Sequence, residues 1–242
     1  MKQKVRKASG TDFLSGETSM KTQESMRRRT IGVAAIILVF VVALAGMRLE
    51  FDNLQSLNWF LSDTKAVEGY QWLANNTEQN ATVLAWWDYA DGIEKIGHRG
   101  VVINEASRNI KDTIAGYTDP EKPWHKIEYA LWYPFESEEK VRDVANFFLS
   151  ENVTSAKEIS RKYGANYTLV MSDNLYLYYP MIMAAGGNFS DYIKMPANLS
   201  YGSDIRPYLK RETILSKMVN GDNIDGFSKA FDNGRMRIYK LI

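Results

Sequence analysis

"ATVLAWWDYADG", residues 81 to 92, is the stretch on which the rest of the reading depends. Ala81 to Trp86 make a short apolar run of buried-strand composition, and Asp88, Asp91 and Gly92 behind it are residues that end strands and form turns. Two indoles, a carboxylate and a phenol therefore meet at a strand's carboxyl end. Taken alone, an aromatic run in that place reads first as packing. Strand neighbours point to opposite faces, so Trp86, Trp87 and Asp88 can act on one target only if the strand has ended by Trp86. Where it has, the set has a definite use. A hydroxyl has one donor and two acceptor sites, Asp offers acceptors and each indole one N–H, so two Trp and one Asp saturate one hydroxyl.

Around this stretch the pattern alternates between helix and strand. "TKAVEGYQWLANN" carries Val67, Tyr70, Trp72 and Leu73 at helical spacing, and "GVVIN", residues 100 to 104, reads as a further strand. "SEEKVRDVANFFLS" opens with Ser137 as a candidate N-cap and puts Val141, Val144, Phe147 and Phe148 on one face. The pattern predicts another helix from Thr154 to Tyr163, closed by Gly164, before the strand "NYTLVMS". "GRMRIYKLI" alternates as a last strand with Met236, Ile238 and Leu241 turned inward, while "DPEKPW" and "GGN" mark loops. The expected fold class is α/β, one mixed domain with a central sheet over residues 50–242.

Composition narrows the chemistry. The 242 residues hold 30 Lys+Arg against 29 Asp+Glu, so no global charge points to nucleic acid. There is no cysteine, which excludes disulfides, thiolate metal sites and a Cys nucleophile. His98 and His125 lie too far apart to read as a metal motif. Asp88 with Asp91, or Glu94 with Lys95, would have to serve an independent hydrolase or transferase; such pairs read equally as solvated surface.

Compartment is read from "IGVAAIILVFVVALAGM", residues 31–47, which is uncharged and just long enough for a span. Residues 1–30 are basic and polar, without apolar periodicity, and are expected to be a disordered cytoplasmic tail. The positive-inside rule then places the rest of the chain outside a cell membrane that it crosses once. The small-x-small Ala43-Leu44-Ala45 admits a cleaved signal peptide, against which the long polar leader argues for a retained anchor. Asn75, Asn80, Asn152, Asn166, Asn188 and Asn198 each begin an N-glycosylation acceptor tripeptide, and all come after the anchor. Chance would supply about two such tripeptides from this composition. The excess fits a glycoprotein facing a glycosylating compartment.

"WWDYA" resembles the WWDYG signature of the oligosaccharyltransferase catalytic subunits, the membrane enzymes that attach lipid-carried glycans to Asn in Asn-x-Ser/Thr. "ANFFLSENVTSAKEISRKYGANYTLVMSD", residues 145 to 173, is similar to that family's helix, "KYG" stop and apolar strand, and "RMRIYKL" is similar to its closing strand. The resemblance covers residues 50–242 and implies an extracytoplasmic C-terminal domain. It implies that Trp86, Trp87 and Asp88, with Tyr89 in the same motif, grip the hydroxyl at the +2 position of the acceptor. It also implies a second contribution to that pocket from the helix after the apolar strand, carried to Met181 and Ile182 in "DNLYLYYPMIM", beside Asp173 and without the family's lysine. Ala90 stands where the signature has Gly.

The family's multi-span portion, which holds the metal and the lipid-linked donor, has no counterpart in a single span. The expectation is therefore a sequon-recognising component of protein N-glycosylation, inactive alone, acting on Asn-x-Ser/Thr polypeptides with a separate multi-span oligosaccharyltransferase-like subunit. No cofactor is expected in this chain; a divalent metal, Mg or Mn, would be held by that subunit. The alternative is a membrane-anchored surface glycoprotein or interaction module that kept the fold, with Trp86 and Trp87 as core.

Overall fold

The computed structural model describes residues 31, 33, 35–42, 61–114, 133–194 and 206–242, which fall in two units, 1–55 and 56–242. In the first unit, residues 31, 33 and 35–42 are helical and exposed along their whole apolar length. Among the described residues no helix is long and apolar enough to cross a membrane. The expected tail, the remainder of the expected span, the loop "DPEKPW" and Asn198 lie outside the described residues.

The second unit is built on a five-stranded sheet of β1 (Thr82–Leu84), β2 (Gly100–Val101), β3 (Ala165–Met171), β4 (Phe227–Asp232) and β5 (Met236–Leu241), in the order β2-β1-β3-β5-β4. β1 is parallel to both β2 and β3, whereas β5 runs antiparallel to β3 and to β4. The sheet is mixed, as the sequence pattern implies. Its helices are α1 (Thr64–Asn76), α2 (Ala90–Lys95), α3 (Arg108–Ile114), α4 (Glu138–Leu149), α5 (Val153–Lys162), α6 (Tyr178–Ala185), α7 (Phe189–Tyr192) and α8 (Ile214–Asn220).

Helices cover both faces of this sheet. Met236 of β5 lies against Gly69 of α1, where an added Cβ would come within 2.2 Å of the Met236 sulfur. Its neighbours on the strand face the other way: Arg237 donates to Val219 O of α8 at 2.6 Å and the Tyr239 hydroxyl to Met218 O at 3.3 Å. With Leu169, Val170 and Met171 of β3 all buried, the sheet's middle is core on both sides. Burial holds the Tyr239 phenol up at about 12.

Local signals place most elements where the sequence puts them. Asp63 caps α1 by accepting from Ala66 N at 3.0 Å, Asn152 caps α5 by accepting from Thr154 N at 2.8 Å, and α5 ends before Gly164 at φ 63°. The expected face of α4, Val141, Val144, Phe147 and Phe148, is fully buried. Three details differ. Ser137 precedes α4 but its side chain makes no cap; instead the Ser137 N–H donates to Glu136 Oε1 at 3.0 Å. β1 ends at Leu84 because the chain turns into a single 3₁₀ turn, Trp87–Tyr89, that leads directly into α2, and β2 spans two residues. β4, which alternation did not reveal, carries a register shift between Lys229 and Phe231 that breaks its period.

Candidate functional site

The order β2-β1-β3 fixes where a site can form. From β1 the chain passes through α2 to β2 on one side, then returns through α3, α4 and α5 to β3 on the other. The carboxyl ends of β1 and β3 therefore flank a topological switch point, the place where open α/β sheets bind ligands. Both strands end in polar residues there: Trp87-Asp88-Tyr89 comes after β1 and Asp173-Asn174 after β3.

Asn174 ties these two ends together. Buried at 2% exposure, it donates from Nδ2 to the Tyr89 hydroxyl at 3.1 Å and accepts the Met171 N–H on Oδ1. Burial, with Asp173 and Asp88 nearby, pushes the Tyr89 phenol well above its ordinary range, so Tyr89 stays a neutral structural link. Sequence reading did not single out Asn174; an Asx residue directly behind an apolar strand was the available signal.

The two indoles and the carboxylate are graded in depth. Trp86 is 1% exposed and its ring lies 4.0 Å from that of Trp87, tilted by 33°. Trp87 is half-buried on the same core, and Asp88 is exposed. The Trp86 Nε1–H is buried and has no hydrogen-bond partner. A buried donor left unpaired costs about 1–3 kcal/mol. Ala90 is buried with φ −56° and ψ −49° at the junction into α2. A right-handed backbone there needs no glycine.

Asp88 sits in a recess that solvent reaches but protein largely surrounds. Desolvation pushes its carboxyl up to about 6, helped by Glu105 and Asp173, while its own backbone N–H and Lys111 pull the other way. The two acidic neighbours come from beyond the other two parallel strands, β2 and β3. Glu105, beyond β2, pairs with Lys111 of α3 at 2.8 Å and accepts from the Tyr133 hydroxyl at 3.4 Å, with the Lys111 ammonium 3.9 Å from the Tyr133 ring centre. Asp173, beyond β3, pairs with Arg235 at 2.8 Å, and Arg235 also holds Asp63 at 2.7 Å at the start of α1. Asp173 Oδ1 is buried without a hydrogen-bond partner.

Met181 and Ile182 of α6 are fully buried in the core that Trp86 and Tyr89 share, on the segment that begins at Asn174. Apolar, buried side chains there can shape a pocket wall but offer no polar contact. Among the described residues no group of three or more His, Asp or Glu side chains could hold a metal ion. Of the candidate pairs Asp88 with Asp91 and Glu94 with Lys95, the fold commits Asp91 and Lys95 to each other instead, in an i,i+4 surface ion pair at 3.0 Å.

Of the sequon asparagines within the described residues, Asn75, Asn80, Asn152, Asn166 and Asn188 are all exposed. Their partner hydroxyls are not equivalent. Thr77 is held by Arg99, and Thr168 is 2% exposed in β3.

No protein-family model matches the chain. It is 38% identical over 42 residues to the rice dolichyl-diphosphooligosaccharide–protein glycosyltransferase subunit STT3B, a stretch that is 17% of this chain and 6% of the rice subunit. A crystal structure of the C-terminal globular domain of oligosaccharyltransferase from Archaeoglobus fulgidus covers 73% of this chain and 96% of its own, at 16% identity and a TM-score of 0.47. An Archaeoglobus fulgidus oligosaccharyltransferase tethered with an acceptor peptide containing the NVT sequon covers 69% of this chain and 23% of its own, at 15% identity and a TM-score of 0.44. The chain is similar to the C-terminal globular domain of the Archaeoglobus fulgidus oligosaccharyltransferase and spans 6% of the length of the rice subunit it matches.

Proposed function

We propose that this chain is a membrane-anchored reader of Asn-x-Ser/Thr acceptors in protein N-glycosylation, working with a separate multi-span subunit that carries the lipid-linked glycan and a divalent metal, Mg or Mn. The observation that carries the reading is the stack at the switch point: an exposed carboxylate, Asp88, beside a half-buried indole and a second indole with an unpaired N–H. In this proposal Asp88 accepts the hydrogen bond of the acceptor hydroxyl, and Trp87 and Trp86 donate to its lone pairs. Met181 and Ile182 supply the apolar wall, and Tyr89 fixes the floor through Asn174. The single span would be residues 31–47, whose described part is a helix apolar all round, a form suited to lipid.

A second reading is favoured by one observation. Trp86 is buried at 1%, so its N–H meets a hydroxyl only if the turn Trp87–Tyr89 opens. If it stays closed, the indoles are core and the chain is a surface glycoprotein or interaction module of the same fold. Isothermal titration with an Asn-x-Thr peptide against an Asn-x-Ala control separates the two. Selective binding of the Thr peptide supports the reader, and equal or absent binding to both sinks it.

A further inference from the structure

We propose that the fold sorts this chain's own sequons into two classes: Asn152 and Asn188 remain glycan acceptors in the folded domain, whereas Asn75 and Asn166 can be modified only before folding. The acceptor pattern demands a hydroxyl two residues after the Asn, so whatever reads it must reach that hydroxyl. In two sequons the hydroxyl is already committed to the fold. Thr77 Oγ1 donates to Leu73 O at 2.7 Å and accepts from Arg99 Nε at 2.7 Å. That arginine is only 8% exposed and binds Ala74 O and Thr77 O at 2.8 Å each, so the sequon of Asn75 doubles as the C-terminal lock of α1. Thr168 is 2% exposed in β3, paired with Thr82–Leu84 on one side and with β5 on the other. Reading the sequon of Asn166 would mean pulling out the sheet's middle strand.

The other two sequons face solvent, and the one bond made by a hydroxyl there, Ser190 Oγ donating to Asn188 Oδ1 at 3.0 Å, lies within the sequon's own exposed turn. Thr154 and Ser190 are exposed, and Asn152 and Asn188 stand in extended backbone, at φ −97° and −101°, before α5 and α7. Each Asn uses its side-chain carbonyl inward: Asn152 Oδ1 accepts Thr154 N at 2.8 Å, and Asn188 Oδ1 accepts Ser190 N at 3.2 Å. The amide nitrogen is the atom a glycan takes. In the transfer, the bond from the sugar's C1 to a pyrophosphate-linked lipid breaks, a C1–Nδ2 bond forms, and the amide proton leaves with the lipid pyrophosphate. The cap therefore survives the modification. Thr82, in the sequon of Asn80, is half-buried in β1, and the sorting is carried by the four clearer cases.

The test uses the full chain made in a non-glycosylating bacterium and purified folded in detergent. It is incubated with solubilised microsomes that hold lipid-linked oligosaccharide, beside a tryptic digest of the same chain. Enzymatic glycan release in ¹⁸O-water and mass spectrometry then read occupancy at each Asn. The folded chain should be labelled at Asn152 and Asn188, with Asn75 and Asn166 at least about tenfold lower because they require local unfolding, and the digest should remove that difference. Thr154→Ala should abolish the label at Asn152. Digest-level labelling of Asn75 or Asn166 in the folded chain overturns the proposal, as does an unlabelled Asn152 and Asn188.

Discussion

Asp88 and Trp86 sit close together at the 3₁₀ turn but respond differently to change. Asp88→Ala removes one partner of a recognised hydroxyl, a loss of about 1–3 kcal/mol, so an Asn-x-Thr peptide should bind about fivefold to a hundredfold more weakly in titration. Its melting temperature should barely move near pH 4, where the carboxyl is protonated, and should rise at neutral pH, where a desolvated carboxylate is removed. Trp86→Ala empties a fully buried site and should cost about 3–5 kcal/mol in denaturant unfolding. The Asp88 carboxyl, held at about 6, adds a pH signature with two signs. Its folded-state pKa lies above the ordinary carboxylate value of about 4, so its stabilising contribution is complete below that pH and is lost as pH rises through 6. Peptide binding runs the other way, strengthening as the carboxylate forms. Asp88→Asn should flatten both curves between about pH 4 and 6, checked by melting and titration across that range. The adjacency of Trp86, Trp87 and Asp88 is plain in the sequence, but the gradation from buried to exposed is not. It arises because β1 stops at Leu84 and a 3₁₀ turn, rather than a strand, orients Trp87, Asp88 and Tyr89.

At the scale of elements, α1 depends on one arginine far from it in sequence. Arg99 ends α1 by binding Ala74 O, Thr77 O and Thr77 Oγ1, directly after His98, which holds a left-handed φ of 51°. Arg99→Ala should therefore cost about 1–3 kcal/mol in thermal or urea unfolding, because it leaves part-buried carbonyls without their donor. Gly92 gives a second case: a Cβ there would lie 2.3 Å from the Tyr70 ring, so Gly92→Ala should lower stability by about 1–3 kcal/mol through overpacking between α2 and α1. The helices α1, α4 and α5 and the strands β3 and β5 could be read locally, since each carries its own period and stop signals. Neither lock could be. A lone Arg in "GHRGVV" has no sequence mark of the helix end it binds, 22 residues back.

For the whole molecule, the expected behaviour follows from the proposed single span and the proposed division of labour with a multi-span subunit. The full chain should remain with membranes after alkaline carbonate extraction, and a variant lacking residues 31–47 should move to the supernatant. With donor lipid and Mg or Mn, the purified chain alone should transfer no glycan to an Asn-x-Thr peptide, and addition of a multi-span partner should restore transfer. Activity from the chain alone would contradict the proposed division of labour. The sequence by itself determined the periodic elements, the α/β class, the apolar segment and the motif at the end of β1, because each depends on residues within one or two turns of each other. Tertiary structure alone decided that Asp88, Glu105 and Asp173 meet above three parallel strands, that Asn174 bridges two of them, that Arg99 binds Thr77, and that Thr168 is buried. Those outcomes depend on strand order and on partners up to 85 residues apart, which no local pattern encodes.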